Sequence, residues 1–535
     1  MSAGDAMTVA STATGTTGAE TSPRPAFAVA AVLLGSFLVG FDTRLFAMAL
    51  PDLRGGFGLS FDQGAWLNTI ATAPQIVVAP AVAWLAATFG IRRVLVLPSI
   101  VYAGLSALIP EVRSWEFLLV LHALRGLLLG VFIPATIMII LRTLPIRWWA
   151  PALAIYAFRL AFSQSVGVAI VGFYEQYLGW EWVYWQDVVL APMIGLLVML
   201  GTKRETVNAA LWAGGDWGGM ALLGASWALI YVALDQGNRL DWFESGLVLS
   251  LLLAGGALLI GFIVNEAVVQ QPWATHKVIS SPNIILAFIS ILCFDIASIS
   301  NSLLVPNFLS NVVGLRPEQI GLPIVLGTAV PLTLVMPIAV VMIRRFDIRL
   351  SLLIGFVAFA IAGQMGTMIT REWSPWTFIP MLMIQAVGQG FTFLAAVVYI
   401  LANSDPKFAT ASAAYVQVLR LGGAEMAISL MATWLRQREQ LHSYLLGLHV
   451  PASSAAVTAR VERLASHFAG AGGSAELSRE RGVAALADIV SQNANVLAYI
   501  DGFRISFWGA LAGIAVVAML GAAPHGPLNP SGRRD

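Results

Sequence analysis

Apolar runs of about 20 residues, the length an α-helix needs to cross the hydrocarbon of a bilayer, recur roughly fourteen times along the sequence. They cover 27–50, 64–87, 94–110, 116–142, 150–174, 182–201, 217–235, 246–267, 283–306, 320–343, 350–370, 376–402, 408–434 and 502–522. The predicted fold class is therefore an all-α polytopic membrane protein. Charged residues make up 11% of the chain, less than half of the roughly 25% found in soluble domains, and mean hydropathy is +0.79. This composition excludes a soluble enzyme, a disordered scaffold and a nucleic-acid binder. The single cysteine, Cys293, excludes an intrachain disulfide and a cysteine-based metal cluster. Residues 1–25, rich in Ser, Thr, Ala and Gly, lack the pattern of a signal peptide and read as a disordered tail before an uncleaved first span.

Lys and Arg sort unevenly between alternate loops, fourteen on the side of the N-terminus against five on the other. By the positive-inside rule both termini are expected in the cytoplasm. Segment 435–500 is too polar to stay in lipid and falls on the extracytoplasmic side. Val457, Val461, Leu464 and Phe468 recur there at helical spacing, and a second pattern follows over 475–490. Two short surface helices are predicted, either a cap on the outer face or a docking site for a partner.

The chain also repeats itself. Phe89-Gly90-Ile91-Arg92-Arg93 leaves the second run, and Phe346-Asp347-Ile348-Arg349 leaves the tenth, 257 residues later. Pro145 precedes Arg159 by 14 residues, and Pro406 precedes Arg420 by the same interval, at an offset of 261. Two features at nearly one offset predict two homologous halves with two extra helices between them. Parallel repeats of this kind place a substrate site between the halves near the midplane, so transport leads on physical grounds.

At this point the residues resemble a known family. FDTRLFAMALPDL at 41–53, with Asp42, Thr43, Ala49, Leu50 and Pro51, is similar to the first-span signature of the fourteen-span drug:proton antiporters of the major facilitator superfamily. QGAWLNTIATA at 63–73 and LDQGNRLDWFES at 234–245 look like further stretches of that family, as does a long loop before the last span. The spans and the repeat, with which the resemblance agrees, give a tail at 1–25, a six-helix half at 26–201 and two linker helices at 202–268. A second six-helix half would follow at 269–523, with the helical loop 435–500 within it and a cytoplasmic tail at 524–535. The resemblance implies an inner-membrane location and, in a cell with two membranes, a periplasmic adaptor and an outer-membrane channel as partners. The chain departs from the family pattern at Ala83 and Ala87, at the His122–Arg125 pair, and at Val168 and Val171. These departures bear on the direction of transport, not on the fold.

Ionisable residues inside spans cost a few kcal/mol each and form the functional shortlist. Asp42 is expected either to load and release a proton or to fix helix packing as a permanent ion pair. His122 and Arg125 share a helix face; the histidine reads as a relay or as hydrogen-bonded core, and the arginine as the holder of an acid or an anionic substrate. Arg159 and Arg420 occupy matching places and should both face the central cavity. Glu425 sits about 140° around the helix from Arg420, so it needs a partner from another helix or serves as a second proton carrier. Asp295 poses the same question, and one buried salt-bridge network would also account for all three. Arg44, Arg125 and Arg159 against Asp42 give the first-half wall a surplus of positive charge, which favours an anionic or weakly acidic amphiphile. Gly90, Arg92 and Arg93 are gating candidates; the resemblance carries the role for Gly90 and Arg92, and the positive-inside rule accounts for the rest.

The expected function is proton-coupled export of amphiphilic small molecules by alternating access. The alternative on the same fold is a proton-coupled importer or facilitator of a small organic anion. An integral-membrane enzyme is the remote alternative, since the six histidines are scattered and no paired ligand spacing appears. No cofactor is expected, and no Gly-rich Lys-Ser/Thr phosphate loop is present.

Overall fold

The computed structural model describes residues 24–145, 148–275, 278–279, 281–405, 409–469 and 474–524. The terminal tails, Arg147, Lys277, Pro406 and Lys407 lie outside the described residues, as does the side chain of Arg44. Fourteen long helices form the bundle: α1 (Pro25–Phe57), α2 (Phe61–Phe89), α3 (Ile91–Glu111), α4 (Trp115–Thr143), α5 (Trp149–Tyr177), α6 (Trp182–Gly201), α7 (Trp217–Gly237), α8 (Gly246–Val268), α9 (Pro282–Asn311), α10 (Pro317–Arg345), α11 (Ile348–Gly366), α12 (Pro375–Asn403), α13 (Ala411–Gly447) and, after a short α14 (Ala455–Ala469), α15 (Ala475–Met519). Thirteen of them are long and apolar enough to cross a membrane over their described residues, and α5 is a further helix of 29 residues.

Local chemistry sets the ends. Ser60 and Gln63 close a reciprocal capping box at the start of α2, and Ser114, Asp216 and Ser474 cap α4, α7 and α15 through their side chains. Gly58 ends α1 with φ at 67°, a conformation that disfavours any residue with a Cβ.

The repeat seen in the sequence reappears as matched helix anchoring. Arg92, leaving α2, donates to the carbonyls of Met199 and Thr202 at the C-terminal end of α6. Arg349, 257 residues later, donates to the carbonyl of Leu520 at the end of α15, 3.0 Å away. Each arginine thus satisfies orphan carbonyls at the negative end of the last helix in its own half. Arg93 donates to Phe89 O at 3.2 Å. Among the described residues, Gly90, Arg92 and Arg93 have their contacts within the first half and the loop after it, where Glu205 meets Gly90.

Two sequence expectations need correction. The first helix runs on to Phe57, with Pro51 inside it rather than at its end. Segment 435–500 has the short helix expected on the 457–468 stripe, α14, but α13 continues into it to Gly447, and the 475–490 pattern is the start of the 45-residue α15 rather than a second short helix. Ala, Glu, Arg and Leu favour helix in water as in lipid, so nothing breaks these helices where the apolar run ends. The stripe Val457–Val461–Leu464–Phe468 is the sheltered face of α14, and Gly482 lets α15 approach Val461 and Ala465. Asp501 clasps α13 to α15, accepting from Arg438 at 2.6 Å and meeting His442 at 2.8 Å.

The linker helices do not stand apart. α7 wedges between the halves: Gly224 lies against the backbone of Val77 in α2, and Asn238, just past its end, donates to Thr433 of α13 at 2.9 Å. α8 packs outside α7, with Ser226 donating to Gly255 O at 2.8 Å.

Candidate functional site

A cavity of about 310 Å³ lies between the halves, within the range of small-molecule sites (about 300–1,000 Å³). Helix one and helix five of each half supply its central charges: Asp42 and Arg159 from the first half, Asp295 and Arg420 from the second. Glu425, Arg125, Gln75 and Asn68 also line it, and so do Tyr231 and Asp235 from α7.

The charges divide into a paired set and an unpaired one. Arg125 is ion-paired with Asp42, which accepts from two of its nitrogens, and with Asp187, 2.6 Å away. Its Nε donates to Ser106 at 3.0 Å, and its guanidinium faces the rings of Tyr102 and Tyr184 at 4.8 and 5.2 Å. All three charged residues are at least 97% buried. His122 stands behind this cluster, off the cavity, with Nδ1 at 2.9 Å from Leu118 O and Nε2 at 3.0 Å from Tyr184 Oη. Both ring nitrogens are engaged, which matches hydrogen-bonded core. Asp187 proves to be the second acid on Arg125.

Arg159 is 2% exposed, and its Nε and Nη2 have no hydrogen-bond partner among the described residues. Its guanidinium faces the Tyr156 ring at 5.1 Å, and the charge of Arg420 acts on it. Arg420 donates to Gln417 Oε1 at 3.0 and 3.2 Å and meets no acid within ion-pair distance among the described residues. It sits on a π-helical turn, Val418–Gly423, one of three such turns among the described residues of the second half; such turns often occur at functional sites.

Asp295 Oδ2 is buried without a partner, and Glu425 forms no ion pair among the described residues. The expected network joining Arg420, Asp295 and Glu425 is therefore absent as ion pairs. The asymmetry between the halves has a sequence basis. Gln385, 260 residues after Arg125, holds the matching place and donates to Ser300. The second half thus has no guanidinium there to neutralise its acid. Of the positive surplus expected along the first half, Arg125 is taken by two carboxylates and Arg159 remains, while the side chain of Arg44 lies outside what is described.

Asp235 was missed as a site residue. It accepts from the Thr69 hydroxyl at 2.5 Å, and its charge acts on Glu425 across the cavity. The signal was an acid next to the end of an apolar run, inside the stretch 234–245 that had been read only as a mark of resemblance.

The Major Facilitator Superfamily pattern matches residues 32–424. Among curated relatives, the chain is 24% identical over 429 residues to the probable multidrug resistance protein EmrY of Escherichia coli K12, covering 78% of this chain and 81% of that one. It is 24% identical over 444 residues to the multidrug export protein EmrB of Haemophilus influenzae, covering 78% and 82%. It is 23% identical over 430 residues to the fatty acid resistance protein FarB of Neisseria gonorrhoeae, covering 79% and 83%. Among solved structures, the proton:xylose symporter XylE aligns over 93% of this chain and 96% of its own with a TM-score of 0.55 at 12% identity, a likeness of fold. With fourteen long helices in two repeated halves around a central polar cavity, the chain is a multi-pass membrane transporter and belongs to the Major Facilitator Superfamily.

Proposed function

We propose that the protein exports amphiphilic small molecules carrying an anionic or weakly acidic group, in exchange for protons, by alternating access across a cell (inner) membrane with both termini in the cytoplasm. The observation that carries the reading is Arg159, buried, without a hydrogen-bond partner on two nitrogens among the described residues and close enough to Arg420 to be repelled by it. Two like charges held close together in a buried wall are costly unless an anion joins them, and charge-assisted hydrogen bonds to guanidinium are strong. The fatty-acid resistance relative is consistent with such a substrate. Glu425 and Asp295 are the proposed proton carriers, and Asp235 is the neighbouring charge that acts on Glu425. Gly90, Arg92 and Arg93 act in gating by bracing the turn between α2 and α3 against the end of α6. In a cell with two membranes, the α14–α15 hairpin would present a surface to an adaptor leading to an outer-membrane channel.

Alternating access needs a contact between halves that can part. Gly172 of α5 lies so close to α10 that a Cβ would stand 2.5 Å from Glu318 Cα, and a Cβ on Gly321 would stand 2.6 Å from Ala169 Cα. Gly321→Leu is therefore expected to hold α5 and α10 apart at this end and stop turnover. Spin labels at Tyr177 and Arg316, in a Cys293→Ser background, should read a longer distance; an unchanged distance with full transport would show that this contact is not part of the cycle.

Charge movement tests the main reading. Export of a monovalent anion against an entering proton moves two charges in the same electrical sense, worth about 4.6 kcal/mol per 100 mV. Exchange of a monovalent cation for a proton moves none. In respiring everted vesicles, a fluorescent naphthalenesulfonate should accumulate and valinomycin with potassium should collapse most of that accumulation. Arg159→Gln should abolish it. Accumulation of a lipophilic cation instead, indifferent to valinomycin, would overturn the anion reading, and uptake by right-side-out vesicles would identify an importer.

A further inference from the structure

A second cavity, of about 450 Å³, opens between α7, α8, α9 and α13. It lies toward the end of the bundle that carries the termini, the end assigned to the cytoplasm by charge bias. Its walls are apolar and aromatic, with Trp227, Phe262, Phe288 and Val418 among them, and they contain one acid, Glu266. Tyr415 is the other polar group, and its hydroxyl is already spent on Ala274 O at 2.6 Å.

Glu266 is 7% exposed, and among the described residues neither carboxylate oxygen is in a well-formed hydrogen bond, the Ala274 backbone and the Asp216 carboxyl being the groups that act on it. It is one of only four buried residues on α8, a helix that otherwise faces lipid. Asp216, whose charge acts on it, adds a second buried carboxylate from the cap of α7. Asp216 is satisfied by the Gly219 N–H at 2.8 Å and by the Asn265 amide at 2.9 and 3.0 Å. Among the described residues no Lys or Arg forms an ion pair with either acid. A buried carboxylate without a well-formed hydrogen bond is costly, and nothing in the packing of α8 calls for such an acid.

We infer that this cavity is a binding site for a lipophilic amine, an alkyl chain ending in an ammonium group, entering sideways from the bilayer. The ammonium donates to the Glu266 carboxylate, a charge-assisted pair, and the chain lies along Phe262 and Phe288. Ile263, 60% exposed, stands at the mouth on the lipid-facing side, so the route runs through hydrocarbon. A phosphate-bearing headgroup is disfavoured, because its charge would meet two carboxylates. Trp227 closes the inner wall: its ring packs on Gly422, beside Leu421 of the midplane cavity. The site stands whichever way the midplane cavity works, since it shares no residue with it.

The test uses the full chain in lipid nanodiscs and a dodecylamine bearing a terminal diazirine, with peptide mapping after photolysis. The amine should label α8 and the segment 415–419 in the wild type. Labelling there should fall about tenfold or more in Glu266→Gln, the scale of a lost charged hydrogen bond. Leu259→Trp, which fills the cavity and keeps the acid, should reduce it as well, with thermal unfolding of both variants reported alongside. The diazirine alcohol of equal length should label lipid-facing helices alike in wild type and Glu266→Gln. Equal labelling by amine and alcohol, or amine labelling unchanged in Glu266→Gln, overturns the inference. So does capture of a diazirine phosphatidylethanolamine in place of the amine.

Discussion

Arg125→Met is expected to cost about 3–5 kcal/mol of stability, because removing one partner of a buried ion pair leaves the others charged and unpaired. Here the loss is doubled in kind. Asp42 and Asp187 both lose their counter-ion, and each is almost wholly removed from solvent. Ser106 and the faces of Tyr102 and Tyr184 lose their cation too. Arg125→Lys should be intermediate, since a single ammonium cannot reach two carboxylates and a hydroxyl in the geometry of a planar fork. The decisive comparison is the triple variant Arg125→Met, Asp42→Asn, Asp187→Asn. Replacing a buried charged triad by neutral groups is often close to neutral for stability, so the triple variant should recover most of the denaturation midpoint. A triple variant as unstable as Arg125→Met alone would mean that the arginine acts by packing and not by charge.

The bundle was legible in the sequence because lipid imposes a one-dimensional rule, a run of apolar residues of fixed length. The internal repeat was legible for a similar reason: Arg92 and Arg349 do the same work on the last helix of each half, so they recur at a fixed offset. Arg159 and Arg420 could be placed on the cavity wall from that offset alone. Partnership across helices was not legible. That Arg125 holds Asp187 as well as Asp42 depends on how α6 packs against α1 and α4, and no spacing within one helix encodes it. Asp235 escaped notice because it sits near the end of its run, where an acid is expected to face water, whereas the wedge of α7 between α2 and α13 turns it inward. The extension of α13 and α15 was hidden by composition: polarity reported where the lipid ends, not where the helix ends.

Glu425→Gln is expected to separate the two driving forces of the proposed cycle. With a proton and an anion both moving in the favourable sense, about 4.6 kcal/mol per 100 mV supports a gradient of roughly 2,000-fold; without the proton, about 2.3 kcal/mol supports roughly 50-fold. Among the described acids of the cavity, Glu425 is the one positioned to make that difference. It forms no ion pair there, unlike Asp42, and receives no hydrogen bond like the one Asp235 takes from Thr69; Asp295 shares both features, and what sets Glu425 apart is the charge of Asp235 acting on it. It also lies where both Asp235 and Arg420 act on it, so its proton occupancy is tied to the arginine that would hold the substrate. Anion accumulation in everted vesicles should therefore fall about 40-fold at 100 mV, and what remains should follow the membrane potential and ignore the pH gradient. Asp235→Asn removes a neighbouring negative charge and keeps the carrier, so coupling should persist. If Glu425→Gln still responds to the pH gradient while Asp295→Asn does not, the carrier is the acid of α9, and the unpaired Oδ2 of Asp295 is where the proton rides.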